Sequence, residues 1–123
     1  MWKEEIIMFE CDLKRDSAEL VTVTIKGSLV LGSPTERLRS CLKAVIDRYS
    51  TIRVDATGLK FMDSSGLGEL VLAHSEANTL GGKVELVGAT RHIKNLLVLT
   101  KLVTVFGAGH EPQGDPSEDL KTQ

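Results

Sequence analysis

Two adjacent serines, Ser64 and Ser65, follow Asp63 where an apolar strand pattern gives way to a helical one, in the stretch FMDSSGLG at residues 61–68. A helix start carries unpaired backbone N–H groups and the positive end of the helix dipole, so an anion placed there is stabilised. A phosphoserine adds about two negative charges and three acceptor oxygens, enough to repel an acidic partner or to block a closely packed one. The sequence therefore predicts a serine that can carry a phosphate without unfolding the chain.

Nucleophilic catalysis by Ser64 is not predicted. A serine hydrolase needs a base within hydrogen-bond reach of its nucleophile and often a Gly-x-Ser-x-Gly elbow, but Met62 stands where the first glycine would be. His74 lies ten residues further along the same helix, roughly 15 Å from Ser64 along the axis. His92 is expected at the start of a later helix and His110 in a polar tail. We expect no catalytic residue in this chain.

Gly66 and Gly68 lie in the first turn of the same predicted helix, and Asp63 is expected to cap it. The Walker and dinucleotide-binding patterns are both incomplete, so nucleotide binding by the chain itself is not expected. Each glycine weakens a helix by roughly 1 kcal/mol relative to alanine, which indicates that backbone or a partner approaches closely there. For Gly68, packing against a neighbouring strand and contact with a partner are both open.

Composition limits the class of protein. The chain has 123 residues, 41% hydrophobic content and a net charge of -2, typical of a globular domain with a real core. Only 4% of the residues are aromatic and no basic stripe is present, so nucleic acid is not expected as a direct partner. Cys11 and Cys41 lack the close spacing of a metal knuckle or redox pair and are expected to be reduced thiols. No signal-peptide or membrane-spanning pattern is visible, and we expect a cytoplasmic location without membrane insertion.

The first half of the chain predicts a hairpin and a helix. Apolar and polar residues alternate at 9–13 and again at 21–25, which is typical of two strands with one buried face. Residues 27–32 are expected to form a connection. A helix is then expected from Ser33, as N-cap, to about Ser50, because a proline stands at the first helical position and a glutamate at the third.

The second half predicts alternating strands and helices. They are, in order, a strand at 52–56 ended by Thr57-Gly58, a helix at 64–80 stopped by Gly81-Gly82, a strand at 84–87, a helix capped by Thr90, and a last strand at 103–106. This order predicts an α/β fold with a mixed, mostly parallel sheet of about four to five strands and helices packed against it. Residues 1–106 are expected to form a single domain, and 107–123 a disordered polar tail.

One residue of the helix at 64–80 departs from its amphipathic pattern. Leu72 falls among carboxylates on the face opposite the apolar one, which is predicted to contain Leu67, Leu70, Val71, Ala73, Ala77 and Leu80. Single exposed leucines are common in soluble proteins, so Leu72 is either incidental or a contact for a partner.

Residues 52–106 resemble the STAS domain of anti-sigma factor antagonists. The resemblance rests on the strand, the FMDSSGLG turn, the helix ending in Gly-Gly, the VELV strand and the IKNLL helix. It extends more weakly back to about Phe9 and so covers most of the chain. The resemblance implies the fold stated above, a STAS-like α/β domain.

The resemblance also implies a bacterial partner-switching protein. In that family the unphosphorylated antagonist binds a serine-kinase anti-sigma factor and so frees a sigma factor for transcription. Phosphorylation by the kinase, with ATP as donor, ends binding, and a phosphatase restores it. The family's phosphoacceptor directly follows the Asp, which here is Ser64. The expected partner surface comprises Asp63, Ser65, Gly66, Leu67, Gly68 and Leu72, and no cofactor or metal is implied.

One position departs from the family pattern. Such antagonists usually place an Asp shortly after the glycine that ends the second strand, where it helps to engage the kinase, and Val30 occupies the corresponding position here. We interpret the missing acid as a sign of a changed or relaxed kinase partner. The alternative function is that of a non-phosphorylated structural or adaptor STAS module in a stress-signalling or transporter-associated complex, because one fold can serve both functions.

Overall fold

The structure, a computed structural model, describes residues 9–100. It begins with the predicted hairpin, formed by β1 (Phe9–Arg15) and β2 (Leu20–Leu29), which pair antiparallel. The Ser17 hydroxyl accepts hydrogen bonds from the backbone N–H groups of Glu19 and Leu20 at 3.2 and 3.1 Å and so closes the turn. The predicted strand at 103–106 and the predicted disordered tail at 107–123 lie outside the described residues.

Two further strands complete the sheet within residues 9–100. β3 (Thr51–Met62) pairs parallel with β2, and β4 (Lys83–Val87) pairs parallel with β3. The strand order is β1-β2-β3-β4. This confirms the predicted α/β fold with a mixed, mostly parallel sheet.

Three helices pack on this sheet. α1 (Ser33–Val45) contacts β1 and β2, α2 (Ser64–Thr79) contacts β3, β4 and α1, and α3 (Arg91–Leu99) contacts β3. The core forms where their apolar faces meet the inward-facing residues of the strands. Its largest fully buried side chains are Val21, Ile25, Leu29, Leu38, Ile52, Leu59, Met62, Leu70, Leu86, Ile93 and Leu97. None of the helices within 9–100 is both long and apolar enough to cross a lipid bilayer.

The predicted limits of α1 are wrong at both ends. Its N-cap is Gly32 rather than Ser33, and the buried Thr35 side chain fixes this start. The Thr35 hydroxyl donates to the Gly32 carbonyl at 3.0 Å and accepts from the Gly32 N–H at 3.1 Å. The helix ends at Val45, where a short turn begins, although Ile46 and Tyr49 still pack against the core.

β2 and β3 both extend beyond their predicted ends. Residues 27–29 were expected in a connection and Thr57-Gly58 as a break, yet the strands continue to Leu29 and Met62. The pairing register shifts between Thr24 and Lys26 and again between Gly27 and Ser28, so β3 accommodates extra residues without leaving the sheet. At Gly58, a Cβ would lie only 2.8 Å from Cγ of Lys26. The glycine therefore permits close strand pairing and does not end the strand.

The glycine pair after α2 stops the helix as predicted. Gly81 has a φ of +87°, and the Gly82 N–H donates to the carbonyl of Ala77 at 2.8 Å. Leu80, however, was expected on the buried face and is 61% exposed. It is the C-cap residue, outside the helical periodicity that buries Leu70, Ala73 and Ala77.

The last described helix differs from prediction in its cap. Thr90 is the N-cap residue of α3, but its side chain makes no capping hydrogen bond. Ile93 and Leu97 are buried as the spacing predicts. The Thr100 hydroxyl, at the other end of the helix, donates to the carbonyl of Leu96 at 2.8 Å.

Candidate functional site

The parallel register places the ends of two strands side by side at the start of α2. Leu29 at the end of β2 lies opposite Met62 at the end of β3, so the loop that follows Leu29 adjoins the turn that follows Met62. The Asp63 N–H donates to the Leu29 carbonyl at 3.2 Å, which extends the pairing by one bond. The candidate site is therefore built from two chain segments that are far apart in the sequence.

Asp63 holds these two segments together. Its Oδ1 accepts from the N–H groups of Ser65 and Gly66 at 2.9 and 3.0 Å, which confirms it as the N-cap of α2. Its Oδ2 accepts from the Leu31 N–H in the β2–α1 loop at 3.2 Å. The hydrogen bonds from Gly66, Leu31 and Ser65 hold the pKa of the Asp63 carboxyl below its usual range. Asp63 is thus a charged structural link as well as a half-exposed surface group.

Ser64 is the first residue of α2 and is exposed. Within residues 9–100 its hydroxyl has no hydrogen-bond partner. Ser65, the next residue, is half-buried, and its backbone N–H donates a hydrogen bond to the Asp63 carboxylate. Of the two serines, Ser64 has the more accessible hydroxyl, and it lies at the positive end of the helix dipole.

The two glycines of the first turn have different environments. A Cβ at Gly66 would lie 2.6 Å from both the backbone oxygen and Cγ of Leu29, whereas a Cβ at Gly68 would meet nothing within 4 Å. The close approach of a strand therefore explains Gly66 and does not explain Gly68. Gly68 is exposed and leaves an open surface one turn after Ser64.

The predicted partner residues divide into buried and exposed groups. Gly66 and Leu67 are buried, and Leu67 is only 6% exposed, so both support the turn from beneath. Leu72 is 51% exposed and lies about 12 Å along α2 from Ser64. It lines a shallow groove between α1 and α2, where Arg39 and Glu69 form a two-pronged ion pair.

The sequence did not predict one exposed apolar residue beside the serines. Leu31 is 75% exposed in the loop that Asp63 holds, while Val30 next to it is half-buried. The sequence indicated an apolar loop here but did not distinguish the inward from the outward side chain. Two residues before Asp63, Phe61 is 44% exposed and stacks on His92 with ring centroids 5.2 Å apart.

No histidine is hydrogen-bonded to Ser64 in the described part of the chain. His92 stacks on Phe61, and no hydrogen bond joins His74 or His92 to the serine. Among residues 9–100, no three His, Cys, Asp or Glu side chains form a group that could hold a metal ion.

The two cysteines, in contrast, are neighbours in space. Cys11 on β1 and Cys41 on α1 are both half-buried free thiols, and the Cys41 sulfur is 4.0 Å from the Cys11 carbonyl oxygen. Their spacing in the sequence did not indicate this proximity. Their separation of thirty residues is bridged by the packing of α1 on β1.

Comparison with known proteins assigns the family. The family model described as STAS domain matches residues 13–115. The chain belongs to the STAS-domain family. No sequence among the curated proteins matches it significantly.

Solved structures of several other proteins share the fold. The anti-sigma factor antagonist SpoIIAA in its unphosphorylated form superimposes with a TM-score of 0.71 at 20% identity, covering 92% of this chain and 95% of the other. An anti-sigma factor antagonist from Mycobacterium paratuberculosis gives 0.71 at 18% identity, covering 94% and 95%. The murine anion transporter Slc26a9 gives 0.61 at 19% identity, covering 73% of this chain but 15% of the transporter. At these identities the likeness concerns the fold alone.

Proposed function

We propose that this STAS protein is an anti-sigma factor antagonist whose binding to a serine-kinase anti-sigma factor is controlled by phosphorylation of Ser64. The observation that carries the proposal is the exposed hydroxyl at the first position of α2, without a hydrogen-bond partner in the described chain and next to the Asp63 cap. The family assignment and the shared fold of antagonists such as SpoIIAA support it. In this role the unphosphorylated protein frees a sigma factor by occupying its inhibitor.

The chemistry of the switch is divided between the two partners. The kinase transfers the γ-phosphoryl group of ATP to Ser64 Oγ and supplies the base, since no histidine of this chain within residues 9–100 is hydrogen-bonded to that oxygen. The chain provides the acceptor on a rigid helix end and acts as no enzyme itself. A phosphatase then removes the phosphate and returns the protein to its binding form.

The proposed contact surface is smaller than the set of residues expected from the sequence. Asp63, Ser64, Ser65 and Gly68 form its exposed or half-exposed part, and Gly66 and Leu67 position them from below. Leu31 adds an apolar contact beside Ser64, and Leu72 extends the surface along α2. A phosphate on Ser64 would place charge beside the Asp63 carboxylate and at the centre of this surface, which disfavours both acidic and closely packed partners.

The proposal is tested by phosphorylation of the full chain. Candidate serine-kinase anti-sigma factors from the source organism are incubated with the protein and ATP, and the intact mass is measured for the wild type, Ser64→Ala and Ser65→Ala. We expect one phosphate on the wild type and on Ser65→Ala, and none on Ser64→Ala. Equal labelling of Ser64→Ala, or no labelling by any candidate kinase, would contradict the switch at this residue.

The apolar β2–α1 loop is proposed to select the kinase. Val30 replaces the usual acid of the family, and Leu31 beside it projects into solvent. We expect Val30→Asp to change the rate of phosphorylation or the affinity for the cognate kinase, with Leu31→Ala as a second variant that removes only the exposed apolar group. The hypothesis of a changed partner fails if Val30→Asp alters neither the rate nor the affinity.

A second candidate function is that of an adaptor STAS module that is never phosphorylated. The observation in its favour is the fold shared with a segment of the murine anion transporter Slc26a9. The two functions differ in their partners and in their response to Ser64→Asp. An adaptor with this substitution should bind its complex as tightly as the wild type does. Purification of the tagged full chain from its own cells, followed by identification of the bound proteins, separates a kinase partner from a transporter or stress-signalling assembly.

A further inference from the structure

Cys11 and Cys41 form a thiol pair away from the serine turn. Cys11 lies on β1, an edge strand of the sheet within the described residues, and Cys41 lies on the face of α1 that packs against it. The Cys41 sulfur is 4.0 Å from the Cys11 carbonyl oxygen, so the two side chains are neighbours. Both side chains are half-buried, so a small oxidant can reach them.

We propose that Cys11 and Cys41 are a reversible disulfide site, which a peroxide oxidant closes to join β1 covalently to α1. These are the only cysteines of the chain, so the site has no competing intramolecular partner. A disulfide needs Cα atoms about 4.4–6.8 Å apart, and an edge strand packed by one helix can adjust to that distance. The proposal does not depend on the phosphorylation of Ser64.

The oxidation takes place in two balanced steps. A thiolate attacks one oxygen of the peroxide, the O–O bond breaks, and a sulfenic acid forms while the other oxygen leaves as water or alcohol. The second thiol attacks the sulfenic sulfur and expels hydroxide, which takes up the thiol proton and leaves as water. Two thiols lose two electrons and two protons in total, and the peroxide is reduced by the same two electrons.

Burial raises the pKa of the Cys11 thiol, and the adjacent Cys41 raises it further, because both disfavour the thiolate. Either cysteine can make the first attack on the peroxide, and the other then resolves the sulfenic acid.

The test uses the full chain with hydrogen peroxide, followed by alkylation, intact mass and non-reducing electrophoresis. We expect the wild type to lose both alkylatable thiols as a monomer, with a mass decrease of two hydrogens, and to regain both after reduction. In Cys11→Ser and in Cys41→Ser, dimedone should trap a sulfenic acid on the remaining cysteine, because no second thiol is present to resolve it.

The contrary results are equally specific. If both thiols can still be alkylated after oxidation, Cys11 and Cys41 are only a packing contact. If disulfide-linked dimers form without a bridged monomer, the cysteines react between molecules and not with each other. Either result overturns the proposal.

Discussion

The first turn of α2 contains two glycines with different physical roles. The backbone oxygen and side chain of Leu29 occupy the space in which a Cβ at Gly66 would lie, whereas the space beside Gly68 is open. The sequence showed both glycines as departures from good helix formers. Only the packing of β2 against α2 separates a glycine required by the fold from one available to a partner.

Alanine at these two positions should therefore have opposite effects on stability. We expect Gly66→Ala to lower the free energy of unfolding by roughly 1–3 kcal/mol through overpacking against a backbone atom that cannot rotate away. Gly68→Ala should raise it by about 0.5–1 kcal/mol because it improves helix propensity. Urea denaturation of both variants measures the difference. A loss of stability in Gly68→Ala would indicate a contact that the described chain does not show.

The same pair of variants also examines the proposed binding surface. If a partner approaches the α2 backbone at Gly68, the more stable Gly68→Ala protein should bind its kinase less tightly than the wild type. Unchanged affinity would remove Gly68 from the surface and leave Ser64 and its immediate neighbours.

At the scale of elements, Asp63 connects the end of β2 with the start of α2. It accepts two N–H groups of the helix and one from the β2–α1 loop, so one carboxylate fixes the relative position of two segments. Asp63→Ala removes all three bonds, and we expect it to cost roughly 0.5–2 kcal/mol of stability at neutral pH, which is the usual range for a lost N-cap. A smaller loss would imply that water replaces the carboxylate.

The charge of Asp63 should make this contribution dependent on pH. Its pKa is lowered in the folded protein, so its stabilisation is fully present above the unfolded pKa and is lost as the pH falls through the folded value. The difference in unfolding free energy between wild type and Asp63→Asn should therefore shrink on acidification below the ordinary range of an aspartate. Urea titrations across that range measure it. A difference that is constant with pH would show that the charge contributes nothing.

For the whole molecule, the proposed switch should change binding without changing the fold. A phosphate on Ser64 lies at an exposed helix start, so we expect the free energy of unfolding to change by less than about 0.5 kcal/mol, as for other surface changes. Binding of the cognate kinase should weaken at least about tenfold, equivalent to about 1.4 kcal/mol.

Quantitatively phosphorylated protein and Ser64→Asp are compared with wild type by calorimetry and denaturation. Ser75→Asp, a charge on an exposed residue of the same helix, is the matched control and should bind like the wild type. Equal affinity of phosphorylated and unphosphorylated protein would contradict the switch. Unfolding on phosphorylation would instead point to a role of Ser64 in the fold.

The sequence by itself determined the order of strands and helices, the start of α2 after its cap Asp63 and its end before Gly81, and the exposed position of Ser64. These features depend on residues within a few positions of one another, because capping, left-handed glycine and hydrophobic period are local properties. The STAS family could be recognised for the same reason, since its motif is a continuous segment.

The tertiary structure alone decided which residues surround the serine turn. Four features depend on the register between distant segments. They are the extension of β2 and β3 past their predicted ends, the contact of Leu29 with Gly66, the outward side chain of Leu31 and the proximity of Cys11 to Cys41. Register is set by the pairing of strands and the packing of helices on them, and no local pattern specifies it. The position of Ser64 was thus readable from its neighbours in sequence, and the surface around it only from its neighbours in space.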